Sequence, residues 1–199
     1  MSAPLTARTA DRPQPAEVFP VFQHLLTSPI VTALVSATGK RLYRRLFLPI
    51  VILWGFIYQR LNPDHSCDAV VSYFAAGGAD QLRPGLSQQM SDNTAGYCKA
   101  RARLPLRIIQ GVLRHTVKVI QAEIGSAGLW HGRRVTLLYG STLQLAAEDE
   151  LVEHYGRPHN QHGASHWPLL RLVAGFDLFS GAVVWPVDAH PLIRSRSVC

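Results

Sequence analysis

WHGRRVTLLYGST, residues Trp130 to Thr142, is the stretch on which the reading of this chain turns. Two arginines lead into Val135, Leu137 and Tyr139, which alternate with Thr136 and Leu138 in the period of a strand. The spacing predicts a strand over Arg134 to Tyr139, with Gly140-Ser141 as its stop. Most of Val135 to Tyr139 is apolar or aromatic, as expected of a strand covered on both faces. Catalytic side chains are often found where such a strand hands over to a loop, because the scaffold holds the loop still. Tyr139 occupies that position, and its bland reading is a buried strand aromatic. A phenol, with a reference pKa of about 10, is a poor base at neutral pH. It is also a poor metal ligand.

On either side of this stretch the charge differs. From Lys40 to Arg134 the basic residues far outnumber the acidic ones, whereas after Val135 Glu148, Asp149, Glu150, Glu153, Asp177 and Asp188 face only four arginines. That shift predicts a boundary near Leu129. It separates a basic region (21–129) from a near-neutral one (130–199), with residues 1–20, rich in proline and small polar side chains, as a disordered tail. The whole chain has 199 residues, 47% of them hydrophobic and 17% charged, a composition that folds. Its formal net charge of +7 favours polyanionic partners.

The basic region reads as helices. Val21 to Thr38 is expected to be helical with an interruption at Pro29. Pro49 suits the first turn of a buried helix that Asn62-Pro63-Asp64 stops. Ser66 is an expected N-cap for Cys67 to Ala76, and Gly77-Gly78 its end. Ser91 or Asp92 is an expected cap for a third helix. Pro105 opens a fourth, in which Leu106, Ile109, Leu113, Val117 and Ile120 recur at three- and four-residue steps and predict the packed stripe. Leu46 to Ile57, the most apolar run, is short of the ~20 residues that cross a bilayer, so no membrane partner is expected. Beyond Leu129 the prediction is strands: Leu169 to Asp177, then the turn Phe179-Ser180-Gly181, then Ala182 to Val187 as a hairpin. Leu145 to Trp167 is a long polar loop, an insertion or a partly ordered segment.

Four segments carry a family likeness. WHGRRVTLLYGST resembles the segment around the first catalytic aspartate of the insertion-sequence transposases of the IS-four type. These are Asp-Asp-Glu enzymes with a ribonuclease-H-like core, whose pattern is a basic lead-in, an apolar strand, then Asp-Gly-Thr/Ser-Thr. Gly140, Ser141 and Thr142 match it, and Tyr139 stands where the aspartate is expected. The likeness extends to Leu48–Cys67, Thr94–Pro105 and Pro168–Val183, in the family's order.

The resemblance implies an α+β protein, a helical N-terminal DNA-binding region followed by an incomplete ribonuclease-H-like core holding only the first strands. It implies DNA transposition by cleavage and strand transfer, in which three carboxylates hold two divalent cations, Mg²⁺ or Mn²⁺. With Tyr139 at the first position and no counterpart of the later carboxylates before Cys199, this chain is expected to be a truncated or frame-disrupted bacterial copy, inactive and binding no metal. Recruitment of Asp149, Glu150, Asp177 or Asp188 in their place is disfavoured. The expected partners are DNA at transposon ends and a full-length transposase, with a cytoplasmic, nucleoid-associated location. The alternative is a non-catalytic DNA-binding regulator or inhibitor of a full-length transposase.

The expected DNA contacts are Asn93, Tyr97, Lys99, Arg101 and Arg103 on one helix, joined by Arg133 and Arg134 before the strand. Arginine and lysine neutralise phosphates, and asparagine and tyrosine reach or stack on bases. The bland alternatives are a solvated basic face and ordinary strand-leading charges. His154, His159, His162 and His166 match no standard zinc spacing, so no metal site is assigned to them. Cys67, Cys98 and Cys199 are odd in number and lack a CxxC pair, which suggests reduced thiols. Cys98 beside Lys99 is a candidate for a lowered pKa.

Overall fold

The computed structural model describes residues 13–39, 46–85, 93–161 and 163–189, without the side chains of Asn160 and 185–189. Lys40, Arg41, Arg44, Arg45, the expected caps Ser91 and Asp92, His162 and Cys199 lie outside the described residues. The chain is α+β: among the described residues there are seven α-helices and a three-stranded antiparallel sheet. It divides into two compact units, Met1–Val112 and Leu113–Cys199. The division falls inside a helix, while the change of charge falls near Leu129. Packing and charge therefore mark different boundaries.

The first unit is built around α3 (Pro49–Leu61). Pro49 starts it, where a missing N–H costs nothing, and six consecutive residues, Ile50 to Gly55, are buried. A helix apolar on all sides is a core helix, and α3 is surrounded accordingly. α1 (Pro15–Leu25) brings Phe22, α2 (Ser28–Ser36) brings Val31 and Val35, and α4 (Cys67–Ala75) brings Val70, Val71 and Phe74 to the same core. Phe19 meets Trp54 edge-on at 4.7 Å, and Tyr58 stacks on Tyr73 at 4.0 Å. Among the described residues no single helix is long and apolar enough to cross a membrane.

Several caps are where the sequence put them. Ser66 accepts from the Ala69 N–H at the head of α4, and Gly77, φ +88°, follows its end. Others differ. α1 begins at Pro15, inside the stretch assigned to the tail, because proline at the first helical position and Glu17 closing a capping box onto Gln14 start a helix there. The expected interruption is present slightly earlier, at Leu26-Thr27 between α1 and α2, with Pro29 in the first turn of α2. α5 (Thr94–Arg103) is capped by Asn93, whose side chain accepts from the Ala95 N–H. In α6 (Leu106–Ile124) the predicted stripe is wrong at its start: Leu106 is 60% exposed and Ile109 exposed, whereas Ile108 is fully buried and Val112 packs on the core. The three- and four-residue steps do not decide between neighbouring faces when both carry isoleucine.

In the second unit β1 (Thr136–Gln144) pairs antiparallel with β4 (Leu169–Asp177), and β4 with β5 (Val183–Ala189). The order β1-β4-β5 leaves β1 at an edge. Gly140-Ser141 does not stop β1; the ladder runs through them to Gln144 opposite Leu169, so Tyr139 lies mid-strand, paired with Ala174. Nor is the strand covered: Leu137, Leu138, Tyr139 and Leu143 are all exposed, Tyr139 to 64%. Apolar content alone predicted cover on both faces, yet an edge strand has one neighbour and no described helix lies over this one. The expected loop after it is partly ordered, as α7 (Asp149–Tyr155) and a small hairpin of β2 (His159–Asn160) with β3 (Gly163–Ala164). The hairpin after β4 is present, with Gly181 at φ +67° closing its turn.

Gly55 gives α3 a side without a Cβ, and Tyr97 of α5 fills it. A Cβ built there would lie 2.8 Å from the Tyr97 hydroxyl and 3.1 Å from Phe74. Gly55→Ala should therefore destabilise the chain by about 1–2 kcal/mol, since overpacking (~1–3 kcal/mol) outweighs the helix propensity gained (~1 kcal/mol). The Tyr97 hydroxyl is itself buried with no hydrogen-bond partner among the described residues. Tyr97→Phe should then raise stability by about 1 kcal/mol. Urea denaturation of the two variants checks both signs.

Candidate nucleic-acid interface

The helix expected to meet DNA, α5, is a core helix with one basic edge. Tyr97 points inward, 0% exposed, with its ring 6.0 Å from Phe74 and 5.9 Å from Phe47. Burial pushes its phenol up to about 12. It cannot stack on a base without leaving the core, so the assignment of Tyr97 to DNA is corrected. Arg101 is half-buried: its guanidinium lies over the Phe56 and Tyr97 rings, and Nη1 donates to Gln59 Oε1 at 2.9 Å and to Cys67 Sγ at 3.2 Å. These contacts spend it within the fold. Asn93 is exposed but uses its side-chain oxygen as the helix cap.

Lys99 and Arg103 remain. Four residues apart, they share one face of α5, and both are exposed. After Leu104-Pro105 the chain adds Arg107, also exposed, in the first turn of α6. Arg107 had not been singled out, although a basic residue just past the proline that opens a helix was visible. Arg83, one of the basic residues counted in this region, is only 2% exposed and adds nothing to the surface.

In the second unit α6 carries exposed Arg114 and Lys118, again four apart. Arg133 is exposed beyond a tight turn, in which Trp130 and Arg133 exchange backbone hydrogen bonds and His131 and Gly132 take φ +48° and +74°. Such a pair of positive φ values belongs to the primed turns of hairpins. Arg134 differs from its neighbour: Nη1 donates to Asp177 Oδ2 at 3.1 Å. Arg134 is thus a structural partner more than a free cation, which departs from the expected phosphate contact.

Asp177, weighed in the sequence only as a disfavoured substitute carboxylate, organises the end of β4. Its side chain is 1% exposed, and Oδ1 accepts from the Phe179 N–H, the Ser180 N–H and the Ser180 hydroxyl. The Ser180 N–H is the largest influence, and with the Arg134 guanidinium it outweighs burial and holds the carboxyl down at about 2. Its signal was present: aspartate at the end of a strand before Ser-Gly is an Asx-turn composition.

Tyr139 has no carboxylate opposite it in the ladder. Across the ladder stand Ala174 and its neighbours Val173 and Gly175, none a carboxylate. Asp177 is committed to its turn and Arg134, while Asp149 and Glu150 are exposed in the first turn of α7. Asp188 pairs through its backbone with Leu172. Among the described residues no three His, Cys, Asp or Glu side chains are grouped to hold a metal.

These two units define a mixed α+β chain with a basic-edged helical unit and an antiparallel sheet unit. Comparison with protein families, with curated proteins and with solved structures finds no match.

The Asp177 network has a defined acid sensitivity. Its folded pKa of about 2 lies below the ordinary carboxylate value, so the stability it contributes is present above about pH 4 and is lost as pH falls towards 2. Asp177→Asn should remove that dependence and destabilise the hairpin at neutral pH. Tryptophan fluorescence followed from pH 5 to pH 1.5 is the measurement, with the variant flat across the window where the parent chain changes.

Proposed function

We propose that this chain binds duplex DNA without cutting it, as a catalytically silent relative of the Asp-Asp-Glu transposases. The observation that carries the reading is the exposed basic edge of Lys99, Arg103 and Arg107, set on helices whose inner faces are buried core. Cations carried on a packed helix meet phosphates with their backbone already ordered. A net charge of +7 adds long-range attraction to a polyanion.

The silence rests on Tyr139. An exposed phenol mid-strand, with alanine across the ladder, offers no ligand set for two cations. The likeness to the IS-four type at Gly140, Ser141 and Thr142 supports the ancestry, and the antiparallel strands β1, β4 and β5 support a partial ribonuclease-H-like core. A regulator that joins a full-length transposase in mixed assembly is the second reading. The open edge of β1, with exposed leucines beside it, favours it, because unpaired edges template strand pairing.

Binding should be salt-dependent and weakly sequence-selective. Lys99→Ala combined with Arg103→Ala should lower affinity for a duplex by about tenfold at 0.1 M salt and reduce the slope of log K against log salt by about 1–2. Arg107→Ala should act in the same direction. Gel-shift titration across a salt series checks this, and an unchanged slope in the double variant would remove the assigned edge. Strand-transfer and nicking assays with Mg²⁺ or Mn²⁺ should be silent for the parent chain and for Tyr139→Asp alike. Preference for transposon ends over random duplex would favour the regulator.

A further inference from the structure

β1 is an open edge without the features that usually close one. Its nine residues, Thr136–Gln144, include no charged side chain and no proline, and all but Ser141 are exposed. Edge strands of chains that stay single are blunted by such charges, by proline or by a cover. Leu137, Leu138, Tyr139 and Leu143 are instead 45% to 71% exposed along it, an apolar patch of the kind that marks an interaction surface. Among the described residues β4 is the one strand paired with β1.

The strand is complementary to itself. On an antiparallel edge alternate residues turn their N–H and C=O outward, so two copies related by a two-fold axis pair residues of like parity. The register that overlaps all nine residues is centred on Gly140. It sets Leu137 opposite Leu143 of the second copy, Leu138 opposite Thr142 and Tyr139 opposite Ser141, each pair occurring twice by symmetry. At the axis glycine meets glycine, and a Cβ built on Gly140 finds open space.

Charge selects the same arrangement. Exposed Arg133 precedes β1, and exposed Glu148, Asp149 and Glu150 follow it. Continued outward, the register brings Arg133 opposite Ala147 and beside Glu148 of the second copy. Antiparallel pairing thus lays the basic head of each strand alongside the acidic tail of the other, whereas parallel pairing would bring like charge to like.

We infer that β1 is a homodimerisation edge: two copies of this chain join β1 to β1, antiparallel about Gly140, in a six-stranded sheet of order β5-β4-β1-β1-β4-β5. The pairing uses the same edge of both copies, so assembly through it stops at two. A strand pair of this length buries roughly 1,000 Å² in all, the low end for specific complexes, so dimer and monomer exchange at micromolar concentrations. The inference goes beyond the DNA-binding reading and does not rest on it. An edge paired with its own copy has to open before a different chain adds a strand there.

The test is sedimentation equilibrium of the full chain, without DNA, from about 1 to about 200 µM. The parent chain should pass from monomer to dimer. Leu137→Lys and Leu143→Glu change exposed positions, and each removes both leucine pairs of the symmetric interface. Each should weaken dimerisation by about tenfold. Mixed in equal amounts, the two variants should bind each other more tightly than either binds itself, because this register sets the new ammonium opposite the new carboxylate. Should either variant fold poorly by circular dichroism, Leu138→Lys mixed with Thr142→Glu, the pair on the opposite face, must behave alike. A parent chain monomeric throughout the range would overturn the proposal and leave the edge to a different chain. So would a mixture no tighter than its components, association untouched by the substitutions, or assemblies growing beyond two copies.

Discussion

The close approach of α3 and α5 at Gly55 is the constraint on which the first unit depends. With no Cβ on α3 at that point, the Tyr97 ring lies between the α3 backbone and Phe74, and its hydroxyl is buried without a partner. The cost of that orphaned hydroxyl is offset by burying a large aromatic ring at the meeting of three helices. Once Tyr97 is fixed inward, helical geometry sets every other residue of α5. Arg101, one turn on, is turned against Phe56, Gln59 and Cys67, and Lys99 and Arg103 are turned to solvent.

The same packing choice separates the roles of residues that look alike in a list of charges. Arg101 and Arg103 are two positions apart and chemically identical. One is held by hydrogen bonds and rings inside the unit, while the other stands on the surface. Arg133 and Arg134 repeat this in the second unit, where only Arg134 has a buried carboxylate to meet. A basic sequence run thus supplies fewer available cations than it has residues, and those available are set by which neighbour the core has claimed.

Much of the helical unit was legible beforehand, for definite reasons. Pro49, Ser66 and Gly77 act through local backbone chemistry, so their helix starts and stops needed no tertiary information. The buried state of α3 followed from its uniform apolarity. What was not legible depended on the third dimension. The inward turn of Tyr97 depends on a glycine more than forty positions earlier, and the hold on Arg101 depends on Gln59 and Cys67, which other helices bring to it. The sheet misled for the opposite reason: Leu137, Leu138 and Tyr139 look like a buried strand, but burial requires a covering layer, and none of the described elements supplies it. Gly140 and Ser141 are turn residues by propensity, yet the ladder to Val173 and Leu172 carries the strand through them.

On α5 the inner face belongs to the core and the outer face, with Lys99 and Arg103, is exposed to solvent, where the proposed phosphate contact would be made. Covalent labelling of the native chain, with an amine reagent for Lys99 and a phenol-nitrating reagent for Tyr97, in the presence and absence of duplex DNA, tests it most directly. Lys99 is expected to react in the free chain and to be protected by DNA, while Tyr97 stays unmodified in both. Equal labelling of Lys99 with and without DNA, at concentrations where the duplex is bound, or ready nitration of Tyr97 in the folded chain, would contradict it.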